Sequence, residues 1–289
     1  MNKPVILVTG ANGQLGMEFR ELEKKFISYQ FIFVTKEQLP RQDMVLVNIF
    51  FKKYKPSFCI NCAAYTAVDK AESDKEMAFL VNATATGILA LACEQFNSKL
   101  IHISTDYVFD GQSPVPYKEE DNTNPINEYG ASKLKGEELC LTNNPGAIII
   151  RTAWVYSAYG NNFLKTMLRL MKDRSAINVV SDQLGAPTYG GDLAAAIMHI
   201  IKEGKWVSGV YHYSNTGKIS WYDFAEAIKE LSSSACQVNP IPAEQYPAPA
   251  KRPSFSLLNS TKIQHTFSIS IPEWKESLKN CFLQLSMLQ

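Results

Sequence analysis

Tyr129 and Lys133 stand four residues apart in Tyr129-Gly130-Ala131-Ser132-Lys133, a spacing that puts a phenol and an ammonium one turn apart on one face of a helix. That pairing is an acid beside its activator. An isolated tyrosine has a pKa of about 10, too high for a group that must release and recover a proton near neutrality. A lysine charge about 4 Å away, at an effective dielectric of about 20, contributes about 4 kcal/mol toward the phenolate before desolvation is subtracted. Half of that would bring the phenol close to working pH. The same spacing also arises by chance in a chain of 289 residues, so the reading depends on what the rest of the chain supplies.

A phosphate site comes first. Val5-Ile6-Leu7-Val8-Thr9 predicts a short buried strand that runs into Gly10-Ala11-Asn12-Gly13-Gln14-Leu15-Gly16, ahead of an amphipathic stretch over 17–26. Gly10 lets the chain turn sharply, Gly13 lets backbone approach a pyrophosphate, and Gly16 lets helix pack close to strand. Gln14 and Leu15 lie in the same turn, where the helix N-terminus faces the anion. The spacing is G-x-x-G-x-x-G, one residue different from G-x-G-x-x-G, and a plain strand-to-helix turn is the competing reading.

A second strand over 31–34 is followed by Thr35-Lys36-Glu37. A carboxylate at that strand end would bind a ribose 2′-hydroxyl and repel a 2′-phosphate. Thr35 and Lys36 come first, so the cofactor predicted is NADPH, with NADH left open by Glu37. Asp43 is placed to cap a helix over 45–54 or, with Met44, to meet the adenine edge. The third strand, over 58–61, opens into Cys62-Ala63-Ala64-Tyr65, small residues that suit a cofactor lying across strand ends. A helix over 75–96 carries Asn82 near its middle, where an asparagine is usually solvated or bends the helix. The fourth strand, over 99–104, brings Ile103 to the cofactor edge and ends in Ser104-Thr105-Asp106-Tyr107. A strand over 147–151 ends in Thr152-Ala153-Trp154.

Five βα units predict an α/β fold with a doubly wound, Rossmann-like parallel sheet. Right-handed crossovers place all the strand ends on one edge, where ligands bind. The expected dinucleotide-binding domain spans 1–156 and is completed by parts of 182–215. A smaller C-terminal α/β substrate domain spans 157–289.

Composition excludes other classes. A formal net charge of +1, with Lys and Arg scattered, argues against a nucleic-acid partner. No apolar stretch is read as a membrane span, and Met1-Asn2-Lys3 leads straight into the first strand without a hydrophobic leader. A cytoplasmic protein is the expectation. Six cysteines form no disulfide framework in so long a chain. Cys59 and Cys62 sit three apart on a predicted strand, which points their sulfurs to opposite faces. The four histidines are scattered in sequence, so no metal site is assigned.

The Gly10/Gly13/Gly16 turn, Thr105 and the Tyr129/Lys133 pair together resemble the extended short-chain dehydrogenase/reductase family. Ser104-Thr105-Asp106-Tyr107-Val108-Phe109, Arg151-Thr152-x-Trp154-Val155-Tyr156, Gly160-Asn161-Asn162-Phe163 and Asp182-Gln183-x-Gly185-Ala186-Pro187-Thr188 are similar to its dTDP-4-dehydrorhamnose reductase branch. The likeness runs from Val5 to the Arg252-Pro253 region. It implies hydride delivery from NADPH to C4 of a 4-keto sugar nucleotide, with Tyr129 protonating the alkoxide and Thr105 holding the keto oxygen. Lys133 would hold the nicotinamide ribose and lower the tyrosine pKa, with Asn82 supporting the lysine through water. Tyr107 and Trp154 would cover the sugar, with Asp106 and Asn162 in the same substrate set. Arg252 is a candidate for the pyrophosphate, with a plain surface arginine as the alternative.

The resemblance also discriminates. Related dehydratases carry an acid pair after the threonine, whereas Tyr107 stands here in place of the second acid. Glutamates that bridge a metal in some family dimers are replaced by Tyr189-Gly190-Gly191, so neither metal nor that dimer is carried over, and a homodimer of another kind stays open. Two alternatives remain at this point. One is a non-catalytic subunit like the regulatory β subunit of methionine adenosyltransferase; the other is a reductase of a different 4-keto-6-deoxy sugar nucleotide.

Overall fold

The computed structural model describes residues 3–288; Met1 and Asn2, where a leader would begin, lie outside the described residues. Strands β1 (Val5–Thr9), β2 (Gln30–Val34), β3 (Phe58–Asn61), β4 (Lys99–Thr105) and β5 (Ile148–Thr152) form one parallel sheet. A sixth strand, Gly209–Tyr213, joins beside β5, giving the order Gly209–Tyr213, β5, β4, β3, β1, β2. Strand order reverses at β1 and β3, and the crevice above that reversal is where such sheets take ligands.

Both faces of the sheet are covered. Ile6, Val8, Ile60, Ile101, Ile148 and Ile150 pack with helix α1 (Gln14–Glu23) and the helix Gly190–Glu203. Leu7, Cys59, Leu100 and Ile149 pack on the other face with helix α2 (Met44–Tyr54) and the helices Ala85–Gln95 and Glu128–Asn143. Ile148, Ile149 and Ile150 are all fully buried, each contributing roughly 1.5–3 kcal/mol. Cys59 belongs to one face and Cys62 packs against the other, so their sulfurs do diverge.

Two helices depart from expectation. Helix α1 begins at Gln14, not Met17, because the extended backbone of Gly13 ends the turn and starts the helix at once. The stretch expected as one helix over 75–96 is interrupted by a π turn at Leu80–Thr84. A π turn winds in an extra residue, and such turns are frequent at functional sites. Here it carries Asn82 inward, only 1% exposed. The continuous helical stretch Lys75–Gln95 is also long and apolar enough to cross a membrane by length and composition, contrary to the sequence reading. Its apolar window is 56% buried inside the protein, and it packs on the helix Glu128–Asn143, as a core helix does.

The C-terminal lobe has its own core of Tyr156, Leu164, Met167, Ile177, Phe224, Ile228, Trp274 and Leu278. A two-stranded parallel sheet, Ala176–Val180 with Gln237–Ile241, supports it. Three contacts lock this lobe to α1. Ser157 donates to Glu18 at 2.5 Å, Gln284 donates to the other Glu18 oxygen at 3.1 Å, and Asn162 donates to Gln14 at 2.9 Å.

The helix Glu128–Asn143 is fixed at its start and again past its middle. Asn127 caps it by accepting from Gly130 N–H at 2.7 Å. Two turns past Tyr129, Glu137 takes a forked ion pair from Arg151 of β5, with N–O distances of 3.0, 3.1 and 2.7 Å, and also accepts from Ser104. The two side chains are 5% and 4% exposed. Breaking a buried pair leaves a charge unpaired, so Glu137→Gln should lower unfolding stability by roughly 3–5 kcal/mol. Lys24→Ala, which breaks an exposed pair with Glu21, should cost under about 1 kcal/mol. Denaturant midpoints at constant m-value check both.

Candidate active site

The glycine turn is built for close approach. Gly10 has φ +70°, and a Cβ there would stand 2.8 Å from the Ala63 backbone nitrogen, so a side chain is barred on both counts. At Gly16 a Cβ would run into the Gly10 carbonyl and stand 2.9 Å from Ala11. The N-cap of α1, Gly13, makes no side-chain capping bond, which leaves the helix start to its own backbone and to an incoming anion. These residues fit a dinucleotide. Ala63, Ala64 and Tyr65 line the next strand exit at intermediate exposure. Tyr65 is held there by Asn82, which accepts from its N–H at 2.8 Å and donates to its carbonyl at 3.1 Å.

At the adenine end, Asp43 is committed as the N-cap of α2, accepting from the N–H groups of Val45 and Leu46 at 2.9 and 3.0 Å. Met44 beside it is 45% exposed. Lys36 extends into solvent, its side chain 91% exposed and only 3.9 Å from Glu37. A cation so free is available to a phosphate.

Asp106, buried at 2%, follows Thr105 at the end of β4. Thr105 donates to Asp106 Oδ1 at 3.0 Å and accepts from Tyr107 N–H at 3.2 Å, while Asp106 Oδ2 is buried with no well-formed hydrogen bond. Tyr107 meets Tyr129 edge to face, ring centroids 5.8 Å apart. Burial drives the Tyr129 phenol up to about 12, a shift that the Thr105 hydroxyl offsets and the Asp106 charge reinforces. The expected lowering by Lys133 is not what this state has. The lysine nitrogen donates instead to the Ile103 carbonyl at 2.6 Å and lies 3.5 Å from His102 Nε2. Burial is the main reason its pKa falls to about 8.

Other expectations need correction. The Asn82 amide is committed directly to protein groups: besides Tyr65 it donates to Ser132 at 2.9 Å, and Ser132 in turn donates to the Tyr129 carbonyl at 2.7 Å. Asn162 is spent structurally. Its amide nitrogen donates to Gln14, the Ser157 carbonyl and the Tyr159 carbonyl, and its oxygen caps the helix Phe163–Asp173 through Lys165 N–H. Trp154, at φ +47°, stacks on Trp221 with centroids 3.6 Å apart and lies against Gly185, so it does not offer two open faces to a sugar. Arg252 forks onto Asp69 at 3.0 and 2.8 Å. It is therefore anchored near Tyr107, whose phenol is driven up by burial and the Asp106 charge, a shift the Arg252 charge partly offsets.

A family model described as the RmlD substrate binding domain matches residues 3–287. The chain belongs to that family. It is 42% identical over 285 residues to a dTDP-4-dehydrorhamnose reductase of Aggregatibacter actinomycetemcomitans, covering 95% of this chain and 97% of the relative. The crystal structure of a dTDP-4-dehydrorhamnose reductase from Clostridium acetobutylicum superimposes with a TM-score of 0.94 at 41% identity, covering 98% of this chain and 100% of that one. One from Bacillus anthracis, solved in complex with NADP, gives 0.94 at 39% identity with the same coverage.

Within this RmlD-type chain, Tyr189 folds back so that its ring would stand 2.6 Å from any Cβ at Gly191, and its hydroxyl donates to Gln284 at 2.8 Å. Among the described residues no group of three or more His, Cys, Asp or Glu side chains is gathered for a metal. A depression of about 1000 Å³ opens elsewhere, between Asp223, Glu226, Glu230 and Trp274; it contains none of the site residues above.

Sequence reading missed the polar layer under the cofactor edge: Thr9, Asn61 and His102 sit side by side on β1, β3 and β4. Polar residues at matching positions of otherwise apolar strands were the available signal.

The Asp106 environment has a measurable pH signature. Burial pushes its carboxyl up to about 7 from 3.8, with the Ser256 and Thr105 hydroxyls offsetting part of the shift. Below about pH 4 folded and unfolded chains both hold the proton. Between about 4 and 7 only the folded chain keeps it, so stability falls as pH rises through that window. Asp106→Asn, neutral and of the same shape, should remove that slope and be more stable than wild type at pH 8 by up to about 4 kcal/mol. Denaturant midpoints from pH 4 to 8 check it.

Proposed function

We propose that this protein reduces the C4 keto group of dTDP-4-dehydro-L-rhamnose to dTDP-L-rhamnose, with NADPH as reductant. The observation that carries the reading is the convergence of the Tyr129 phenol, the Thr105 hydroxyl and the Asp106 carboxyl at the end of β4, on the same sheet edge as the glycine turn that follows β1. Family membership and the close dTDP-4-dehydrorhamnose reductase relatives support the substrate class; the relative solved with NADP supports the cofactor. Such chemistry draws on a soluble pool of reduced cofactor, which suits a cytoplasmic setting.

The residues divide the work. Gly10, Gly13 and Gly16, with the backbone at Gln14 and Leu15, would cradle the pyrophosphate of NADPH. Lys36 would meet its 2′-phosphate, Asp43 and Met44 its adenine end, and Ala63, Ala64, Tyr65 and Ile103 its flank. When bound, NADPH supplies hydride to the sugar C4. Thr105 holds the keto oxygen in place. Tyr129 holds the proton that the forming alkoxide needs; its raised pKa keeps the phenol protonated at neutral pH but makes it a weaker acid, which the approach of a lysine charge would offset. Lys133 would turn from the Ile103 carbonyl to the nicotinamide ribose, bringing its charge nearer the phenol. Asp106 and Tyr107 lie against the sugar, and Arg252, set by Asp69, takes the substrate's diphosphate.

Tyr129→Phe should lower kcat by about 10²–10⁴-fold while leaving NADPH binding intact; near-normal turnover would remove the phenol as proton donor. Lys36→Ala should raise Kd for NADPH more than for NADH, and equal effects would show that Lys36 does not meet the 2′-phosphate. NADPH oxidation across dTDP- and GDP-linked 4-keto-6-deoxy sugars tests the substrate. No oxidation with any of them, beside tight binding to another protein, would replace the enzyme with a regulatory subunit.

A further inference from the structure

Beneath Lys133 runs a buried polar chain that begins at Arg41. Arg41 Nη1 donates to Asn61 Oδ1 at 3.1 Å, and Thr9 donates to the same oxygen at 2.7 Å. Asn61 Nδ2 lies 3.0 Å from His102 Nδ1, and His102 Nε2 lies 3.5 Å from Lys133 Nζ. Arg41 is 8% exposed and the other four residues 2% or less. Water does not mediate these roles easily, so each hydrogen must have a definite place.

The places follow from the chemistry of the donors. A guanidinium has no acceptor atom, so the Asn61 oxygen must face Arg41. Its amide nitrogen then faces His102 Nδ1 and donates to it. Nδ1 is therefore bare, and the proton of the neutral ring sits on Nε2. The ring is neutral because burial first, and then the charges of Lys133 and Arg41, drive its pKa well below the usual value. An Nε2–H pointing at an ammonium sets hydrogen against hydrogen. Pointing at a free amine, it makes a hydrogen bond.

We propose that Arg41 is a positioning residue for Lys133, acting through Asn61 and His102 by fixing the imidazole tautomer that favours the lysine as a free amine. The arrangement opposes the ammonium in the resting site and weakens its hold there. The lysine is thereby poised to leave for a ligand that stabilises its charge. Around the lysine, Glu137 and Cys140 on its own helix and Cys62 after β3 favour the charged form, while Arg41 and burial disfavour it. Tyr129 lies one turn away on the same helix, and His102 faces the lysine from β4. The kinetic arm of the test rests on the reductase reading; the spectroscopic arm does not.

Histidine-labelled protein, with His102 assigned by loss of its signal in His102→Gln, reports the tautomer by nitrogen NMR. Wild type and Arg41→Lys, which keeps a donor-only cation, should show His102 as Nε2–H. Arg41→Met frees the amide to flip, and Asn61→Asp presents oxygen to both neighbours. Each should move the proton to Nδ1. The two variants reach the same end by different routes, so loss of folding in one leaves the other decisive. In the pH profile of kcat/KM, the alkaline limb governed by Lys133 should rise by about one unit in Arg41→Met and in His102→Gln. The second variant retains the Arg41 charge, so its shift separates the tautomer from simple charge removal. An Nδ1–H ring in wild type, or an Nε2–H ring that persists in Asn61→Asp or Arg41→Met, overturns the proposal whatever the substrate proves to be. An unmoved alkaline limb in His102→Gln, with reductase activity present, overturns its link to Lys133.

Discussion

The forked contact between Glu137 and Arg151 is the constraint on which the site depends. A carboxylate on a helix and a guanidinium on β5, both almost completely buried, can tolerate their loss of water only by meeting in one geometry. Ser104 of β4 adds a third bond to the same carboxylate. One side chain thus refers the helix to two neighbouring strands at once. Lys133 and Tyr129 lie one and two turns earlier, so their height above the strand ends is inherited from that contact. Dispersion among apolar side chains would hold the helix against the sheet but would let it slide or rotate; a directional charged bond does not.

Most of the fold was legible because its signals are local. A β-branched run followed by a glycine turn names β1 and the start of α1, and the alternation of such runs with helical periods names the parallel sheet. What stayed hidden was non-local. Parts of 182–215 are expected to complete the sheet domain, but which residues do so is not local: Gly209–Tyr213 joins beside β5 after an excursion of more than fifty residues, and its Tyr211, His212 and Tyr213 resemble any half-polar segment until β5 lies alongside. The π turn at Leu80–Thr84 was likewise invisible, since it answers to Asn82 being drawn toward the Tyr65 backbone and has no composition of its own.

At the site, residue types were readable and their partners were not. Tyr129 and Lys133 could be picked out by spacing, and Thr105 by its place at the end of a strand. Asp43 offered two roles, and α2 takes one of its oxygens as a cap. Asn162, read as a sugar ligand, turned out to bind four protein atoms, because an asparagine just before a helix has first call from that helix. His102 was set aside as one of four scattered histidines. Sequence distance hides neighbourhood in a parallel sheet, where the register places residues 9, 61 and 102 on a single rung. Trp154 shows the same limit in reverse: an aromatic suited to a sugar had already found Trp221.

The bonds that Ser157, Asn162 and Gln284 make to α1 have a consequence for motion. Prising the lobes apart would strip the buried Glu18 carboxylate of both its donors, Ser157 and Gln284. The two lobes are therefore pinned to each other at the start of α1, and any opening there carries the cost of a buried carboxylate left without partners.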